Sequence, residues 1–579
     1  MPALCEAAVP EDRRALLAPA LSFAFFALYA ATAARTVQGF DCGELTAVAH
    51  NWGVAHPPGF ATFSLVAGAL DHASPLPSAH TLALLSALAG ALACGLLCAS
   101  LLRLGARPVA AGIAACAWGL LAPTWTLHTE QEVFAVAHFA VALLLWLSIR
   151  EAQGPTRLGP LWLGIASAAG AGVHTTVVLA APVVALALWQ PRNRLPRTAF
   201  FATGAAVGLL PLLYLPWAAS HGGAPAWGHI DGPQALVRHV LRSDYGVFSL
   251  ALGEHHGYGA VLGRYLQHAA VDGVVVWPVL AGAGLGASLR KPSSQQHRLP
   301  FTLAISLLFS LIFLTAFATP ETPWWHEVTQ RFFAGTDLYA ALFVGLGLER
   351  VLALAPPSRV VTAAALWLVL LGGWALTVAP ALHRDALSRY ADGVLDALEP
   401  KAILIGQGDD DASALWEAQL ARGQRPDVGF VLQALLPWPW YAETTARVAS
   451  GYRQPERKSG IRLLIEHGLR LGRPVYLTGG LPPSLRARYA TVPAGLAVRV
   501  LPPTDPQPAP DAIVADLERF FAKHPPPTLP PWQRQTATEH EVLRRYAAPW
   551  LAVAGALEAT GRHDGAVQCI GRARRILQE

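Results

Sequence analysis

Apolar stretches of membrane-spanning length recur from residue 16 to residue 382, and they constrain this chain more than any other feature. A bilayer core is crossed by about 20 apolar helical residues, and a spanning backbone must satisfy its own hydrogen bonds, as a helix does. We place spans near 15–35, 78–102, 108–125, 133–149, 160–175, 177–190, 198–218, 260–287, 300–318, 335–354 and 360–380. That makes about eleven transmembrane helices. The run 61–70 is too short to cross and is expected to lie in the interface or re-enter. From residue 383 onward charges are frequent, proline is abundant and no run could span. The sequence therefore predicts a polytopic α-helical membrane domain over 1–382, a soluble α/β domain over 383–505, and a Pro-rich linker with a helical hairpin over 506–579. Composition agrees, with 53% hydrophobic and 14% charged residues against roughly 25% charged in a soluble domain. The apolar run 16–34 leads into an acidic loop without a small-residue cleavage site and reads as a retained first helix rather than a signal peptide.

The connections alternate in charge. Arg13 and Arg14; Arg103 and Arg107; Arg150 and Arg157; Arg192, Arg194 and Arg197; Arg290, Lys291 and Arg298; and Arg350 and Arg359 fall on one side. Asp41, Glu44 and His56, then Glu130 and Glu132, the loop 220–258 and the segment 321–331 fall on the other. The positive-inside rule makes the basic side cytoplasmic, so the acidic loops and the C-terminal domain face the periplasm or a lumen. The net charge of +5 is scattered, with no dense basic patch interleaved with aromatics, which excludes a nucleic-acid partner. The six cysteines show no CxxC or Cys/His metal spacing, and we expect no metal site.

Ionisable residues beside a bilayer are costly unless solvated, paired or used. Phe40-Asp-Cys-Gly-Glu-Leu45 carries Asp41 and Glu44, which share a face if the segment is helical. Asn51-Trp-Gly-Val-Ala-His-Pro-Pro-Gly-Phe60 follows, and its prolines and glycine hold His56 in a defined direction. The plain alternative is that Asp41 caps an interfacial helix and Glu44 pairs with an arginine. His128-Thr-Glu-Gln-Glu-Val-Phe134 opens a helix whose dipole suits its acids, and Glu132 is the better candidate to face inward. His174 interrupts an apolar run as either a packing or a site residue. Trp227 precedes Arg238 and Arg242, which are spaced i, i+4. Arg331 lies before another span. Guanidinium binds phosphate bidentately; snorkelling is the alternative for Arg331.

A carboxylate base, outer cations and a membrane suit glycosyl transfer from a polyprenyl-phosphate sugar. The carboxylate removes a hydroxyl proton as the acceptor attacks the anomeric carbon, and Arg or His stabilises the departing phosphate. Asp409-Asp-Asp411, between a strand-like run and a helix, is explained by capping. The rival reading is a polytopic transporter or lipid flippase, which would show broken helices and midplane polar groups; a scaffold would leave Asp41, Glu44 and His56 unexplained.

Asp41-Cys-Gly-Glu44 followed by Gly53-Val-Ala-His-Pro-Pro-Gly59 resembles the first-loop signature of the transmembrane protein O-mannosyltransferase family. The resemblance continues through Glu132-Val-Phe134, His174, Trp227-Gly228, His239-Val-Leu-Arg242 with Tyr245-Gly246, and Arg331-Phe-Phe333. It implies a GT-C-like membrane domain and an inverting transferase, possibly of mannose, with Asp41 as catalytic base and Glu44 as the alternative. It also implies no cofactor beyond a lipid-phosphate-linked sugar as donor substrate. The substrate-binding candidates are His56, Glu132, His174, Trp227, Arg242 and Arg331. The partners are membrane lipid, a polyprenyl-phosphate sugar and a protein Ser/Thr acceptor, and the expected place is a bacterial inner membrane with a periplasmic active site. His229 and Phe134 depart from the family's usual Asp and Tyr, leaving sugar and acceptor identity open.

In the soluble part, strand-like runs at 402–406, 428–432 and 474–478 alternate with helical stretches at 412–421 and 460–471. Helices at 539–560 and 564–578 resemble one tetratricopeptide-like hairpin, which cannot bury its own face and must dock.

Overall fold

The computed structural model describes residues 11–189, 194–244, 259–289, 295–315, 322–378, 384–449, 452, 460–502, 504–528 and 535–577. Arg192, Tyr245, Gly246, Arg290, Lys291 and Glu321 lie outside them. The chain divides into two compact units. One comprises Met1–Arg35, Pro57–Ser220 and Ile230–Leu382; the other comprises Thr36–His56, His221–His229 and His383–Glu579. The change at residue 383 thus coincides with a unit boundary. Two segments of the expected membrane part group with the C-terminal residues, and 506–579 shares that unit with 383–505.

The first unit is helical. Each expected span has a helix: Glu11–Thr32, Ser78–Arg103, Pro108–Leu120, Val133–Gln153, Gly159–Ala171, Ala181–Leu188, Arg194–Gly208, the pair Ala260–Val271 and Val276–Leu289, Gln295–Thr315, Phe333–Leu354 and Pro357–Val378. Among the described residues six helices are long and apolar enough to cross, or seven with the bent pair as one span. Part of the difference from the expected count comes from breaks, whereas Phe333–Leu354 is unbroken but carries Asp337, Glu349 and Arg350. The run expected over 108–125 stops at extended Leu121, and a new short helix, Ala122–Leu127, starts with Pro123 in its first turn, where the missing N–H costs nothing. Ala260–Val271 and Val276–Leu289 meet at 105°, with Val274 and Val275 at φ 55 and 58, a region β-branched residues seldom enter. Ala61–Ala73 is a 13-residue helix, shorter than the about 20 residues a crossing needs.

Glycine lets two helices of this unit touch backbone to backbone. A Cβ on Gly284 would collide with the Phe343 carbonyl, and one on Gly347 with the Leu280 carbonyl. Small residues at such crossings replace the hydrophobic drive that is absent in lipid.

The second unit holds a five-stranded sheet in the order β2-β1-β3-β5-β4. Strands β1 (Ile403–Gly406), β2 (Gly429–Leu432) and β3 (Val475–Leu477) pair in parallel with β1 central. Their near-continuous apolar character fits strands buried on both faces. A hairpin of β4 (Ala490–Ala494) and β5 (Ala497–Leu501), absent from the sequence reading, closes the edge antiparallel to β3. The terminal helices, Ala537–Ala559 and His563–Leu577, form the expected hairpin and open on a Thr536–Glu539 capping box. The hairpin docks as required: Val542 and Tyr546 enter the sheet's core, and Trp550, Leu557 and Cys569 bury Ile513 and Leu517. Asp411 corrects the capping account. Its side chain accepts from Tyr390 (2.7 Å), the Gln407 N–H (2.7 Å) and Thr478 (2.5 Å), tying β1, β3 and a preceding helix together.

Candidate functional site: two polar clusters

The loop after the first helix is built into the second unit. Helix Cys42–Asn51 is buried from Cys42 to Ala49. Gly43 lies so close that a Cβ there would meet the Ser413 carbonyl, and its N–H donates to Ser413 Oγ at 2.8 Å. Val54 forms a parallel bridge with Ala226; its N–H donates to the Pro225 carbonyl at 2.8 Å, and Trp227 N–H donates to the Val54 carbonyl at 3.1 Å. This bridge brings Trp227 to the His56 ring, at 5.9 Å and 67°.

Asp41, Glu44, His56 and Trp227 are thereby assembled. Glu44 is 6% exposed, buried enough that its charge must be met. It is met by His56, whose backbone N–H donates to Oε1 at 2.7 Å and whose Nδ1 lies 3.1 Å from both carboxylate oxygens. A carboxylate accepts, so Nδ1 is assigned as the donor toward Glu44. Asp41 occupies the N-cap position without a side-chain cap bond. Both plain alternatives are therefore replaced: Asp41 does not cap, and Glu44 pairs with histidine rather than arginine. Asp41, Glu44 and His56 offer ligand atoms within 4.8 Å of one another, oxygen and imidazole donors of the kind divalent cations take. Glu44 already accepts two donors from His56, so a cation would have to displace them.

The second cluster belongs to the helical unit. Glu132, at the N-cap position of Val133–Gln153, makes no cap bond and instead takes a 2.9 Å ion pair from Arg331. The helix dipole is thus a secondary account of Glu132, and Arg331 is paired rather than snorkelled. Its guanidinium also lies 5.5 Å from the Phe134 ring. His174 stacks on Phe60 (6.0 Å, 7°) and packs against Phe134 and Phe332, while its Nδ1 accepts the Thr176 N–H. Glu132, His174 and Arg331 are therefore neighbours through one aromatic shell. Arg242 is placed differently from its expectation. It lies beyond helix Pro233–Val240 at φ 55, off the face it was to share with Arg238, and Arg238 pairs with Asp244 at 2.8 Å.

Sequence reasoning missed a third group. His268 bridges Asp272 (2.5 Å) and Asp337 (2.8 Å), Tyr265 donates to Asp337 at 3.0 Å, and Trp374 donates to Asp272 at 2.8 Å. The i, i+4 spacing of His268 and Asp272 inside an apolar run was the available signal.

Two family profiles match the chain. Protein O-mannosyl-transferase TMEM260 N-terminal domain matches residues 41–195, beginning at Asp41 and including Glu44, His56, Glu132 and His174; TMEM260-associated domain 2 matches residues 387–452. Protein O-mannosyl-transferase TMEM260 of Mus musculus is 27% identical over 462 residues, covering 74% of this chain and 64% of the relative. The Dictyostelium discoideum protein of the same name is 22% identical over 553 residues, covering 83% and 66%. The chain thus spans just under two thirds of these relatives' length. Among solved structures, ArnT from Cupriavidus metallidurans bound to undecaprenyl phosphate has a TM-score of 0.53 at 13% identity, covering 86% of this chain and 100% of that one. Its apo state gives 0.54 at 13%, covering 85% and 98%. At that identity the likeness is one of fold. The chain is an integral membrane protein of the ArnT-like GT-C fold, and its sequence is similar to the protein O-mannosyl-transferase TMEM260 family.

Proposed function

We propose that the chain transfers a sugar from a polyprenyl-phosphate carrier to a protein hydroxyl, by inversion, on the non-cytoplasmic face of a bacterial inner membrane. Mannose is the sugar suggested by the relatives' names, and a polyprenyl carrier by the undecaprenyl phosphate bound to ArnT. The acceptor oxygen attacks the anomeric carbon as its proton passes to Asp41; the bond from that carbon to the phosphate oxygen breaks, and the lipid phosphate leaves with the electron pair. Glu44 holds His56 in one tautomer and orientation, and His56 and Trp227 position substrate. Within the helical unit, Arg331, set by Glu132 and beside His174, is the guanidinium suited to a lipid phosphate.

The observation that carries this reading is the division of labour between two acids three residues apart. Glu44 is engaged by both donors of His56, and the first-loop resemblance favours Asp41 as the base. Purified chain in proteoliposomes, given polyprenyl-phosphate [³H]mannose and a Ser/Thr-containing acceptor protein, should yield labelled acceptor. Movement of the lipid between leaflets without labelled acceptor would establish the transporter or flippase reading instead. One observation favours that rival: the 105° break between Ala260–Val271 and Val276–Leu289, flanked by buried His268 and by Asp272.

A further inference from the structure

The second unit contains a cavity of about 650 Å³ whose wall includes Trp227, Trp416, Trp440 and Tyr441. That volume lies in the range of small-ligand pockets, ~300–1,000 Å³. The rings turn several faces and edges inward: Trp227 and Trp440 are 5.5 Å apart at 37°, and Trp227 and Trp416 are 6.3 Å apart at 78°. The remaining lining is polar in a specific way. Gln419 spends its amide N–H groups on the Arg425 and Val428 carbonyls, which leaves its side-chain oxygen as an acceptor. Thr444 and Arg447 line the same cavity, and their side chains make no hydrogen bond or ion pair among the described residues. The Trp227 Nε1–H is buried without an acceptor. Tyr441 accepts the Leu432 N–H at 3.0 Å, which leaves its own proton to donate.

The wall therefore combines apolar ring faces with both donors and an acceptor. A lipid tail would strand the polar groups, since a buried donor or acceptor without a partner is penalised. A simple anion would gain from Lys401 and Arg447 on the wall, with Arg473 there already donating to backbone carbonyls, but would leave the aromatic faces unused and meet Asp427. A sugar ring matches all of it, with C–H faces for the indoles and hydroxyls that donate and accept at the rim. We propose that this cavity is a carbohydrate-binding subsite for one or two neutral hexose rings. It is separate from the chemistry of Asp41 and joined to it through Trp227, whose ring also packs on His56. The inference rests on the glycosyl-transfer reading only for the choice of probe.

The test uses the full chain in detergent, with methyl α-D-mannopyranoside and α-mannobiose as probes, followed by tryptophan fluorescence and saturation-transfer NMR. Wild type should show saturable binding in the millimolar range or tighter, and Trp440→Ala should weaken it at least tenfold. Thr444→Val, which keeps side-chain volume, should weaken it several-fold, so the assignment stays testable if Trp440→Ala fails to fold. Asp41→Asn should bind sugar as wild type does while losing transfer, which separates this inference from the catalytic one. A mannosylated serine peptide binding more tightly than the free sugar would identify the acceptor glycan as the source; a polyprenyl-phosphate mannose doing so would identify the donor headgroup. No saturable sugar binding, sugar binding unchanged in both variants, or a response only to an unglycosylated aromatic peptide would each overturn the proposal.

Discussion

His56 gives its backbone N–H and its ring Nδ1 to one carboxylate, Glu44, at 2.7 and 3.1 Å, across twelve residues of chain. The charge on Glu44 makes these bonds stronger than neutral ones and fixes the imidazole. Glu44→Gln keeps the shape but loses the charge, and it can no longer hold one tautomer. Transfer by this variant should fall about 10²-fold in kcat, the lower range for a lost acid–base contribution, with a smaller change in KM. Steady-state kinetics with varied lipid donor measure the split.

The Glu132–Arg331 pair is nearly enclosed, with side chains 1% and 14% exposed. Removing one member of such a pair leaves the other charge unmet, at a cost of about 3–5 kcal/mol, whereas replacing both by apolar residues can be nearly neutral. Arg331→Met should therefore lower the thermal midpoint more than Arg331→Met combined with Glu132→Leu. Equal or greater loss in the double variant would contradict a buried pair.

Burial, with Asp411 and Asp409 adding to it, pushes the Asp410 carboxyl up to about 6, above the ~3.9 of an unfolded aspartate. The folded state thus holds this proton more tightly. The corresponding stabilisation is full below about pH 4 and is lost as pH rises through about 6. Asp410→Asn keeps an oxygen for the Thr538 hydroxyl that Asp410 accepts at 3.1 Å. It should be more stable than wild type by roughly 1–2 kcal/mol at pH 8, converging near pH 4. Melting curves of the full chain across that range give the difference, which should not be constant.

Gly284 and Gly347 carry a backbone contact between Val276–Leu289 and Phe333–Leu354. Gly347→Val would force the helices apart, a strain typically costing about 1–3 kcal/mol. Yield of folded protein and thermal midpoint should fall, while Gly286→Val, at a position with open space around its Cα, should change little.

Much of the fold was legible because burial leaves strong patterns. β1 to β3 appear as short apolar runs ending at Gly406, Leu432 and Leu477, since parallel strands are covered on both faces. The β4–β5 hairpin was not legible: β4 is only half-buried and contains Pro493, which argues against a strand. Span positions were read correctly because apolarity marks them, but their lengths were not. The breaks at Leu121 and at Val274–Val275 depend on local backbone geometry that hydropathy averages away. In the site, Asp41, Glu44 and His56 were visible as costly groups beside a membrane. The Glu44–His56 bonds were not, because they need the chain to turn back between residues 51 and 56. The Glu132–Arg331 pair spans 199 residues and no local pattern encodes it. His268 and Asp272, by contrast, carry a local signal, an i, i+4 pair of ionisable groups inside an apolar run.

The proposed mechanism passes the acceptor proton to Asp41 and not to Glu44. The direct measurement is single-turnover transfer of [³H]mannose from polyprenyl phosphate to acceptor protein by purified wild type, Asp41→Asn and Glu44→Gln in proteoliposomes, with melting curves recorded for all three. Asp41→Asn should fold as wild type with transfer reduced by at least about 10³-fold, and Glu44→Gln should keep detectable residual transfer. Transfer by folded Asp41→Asn at a rate near wild type, or a complete loss in Glu44→Gln alone, would contradict that assignment.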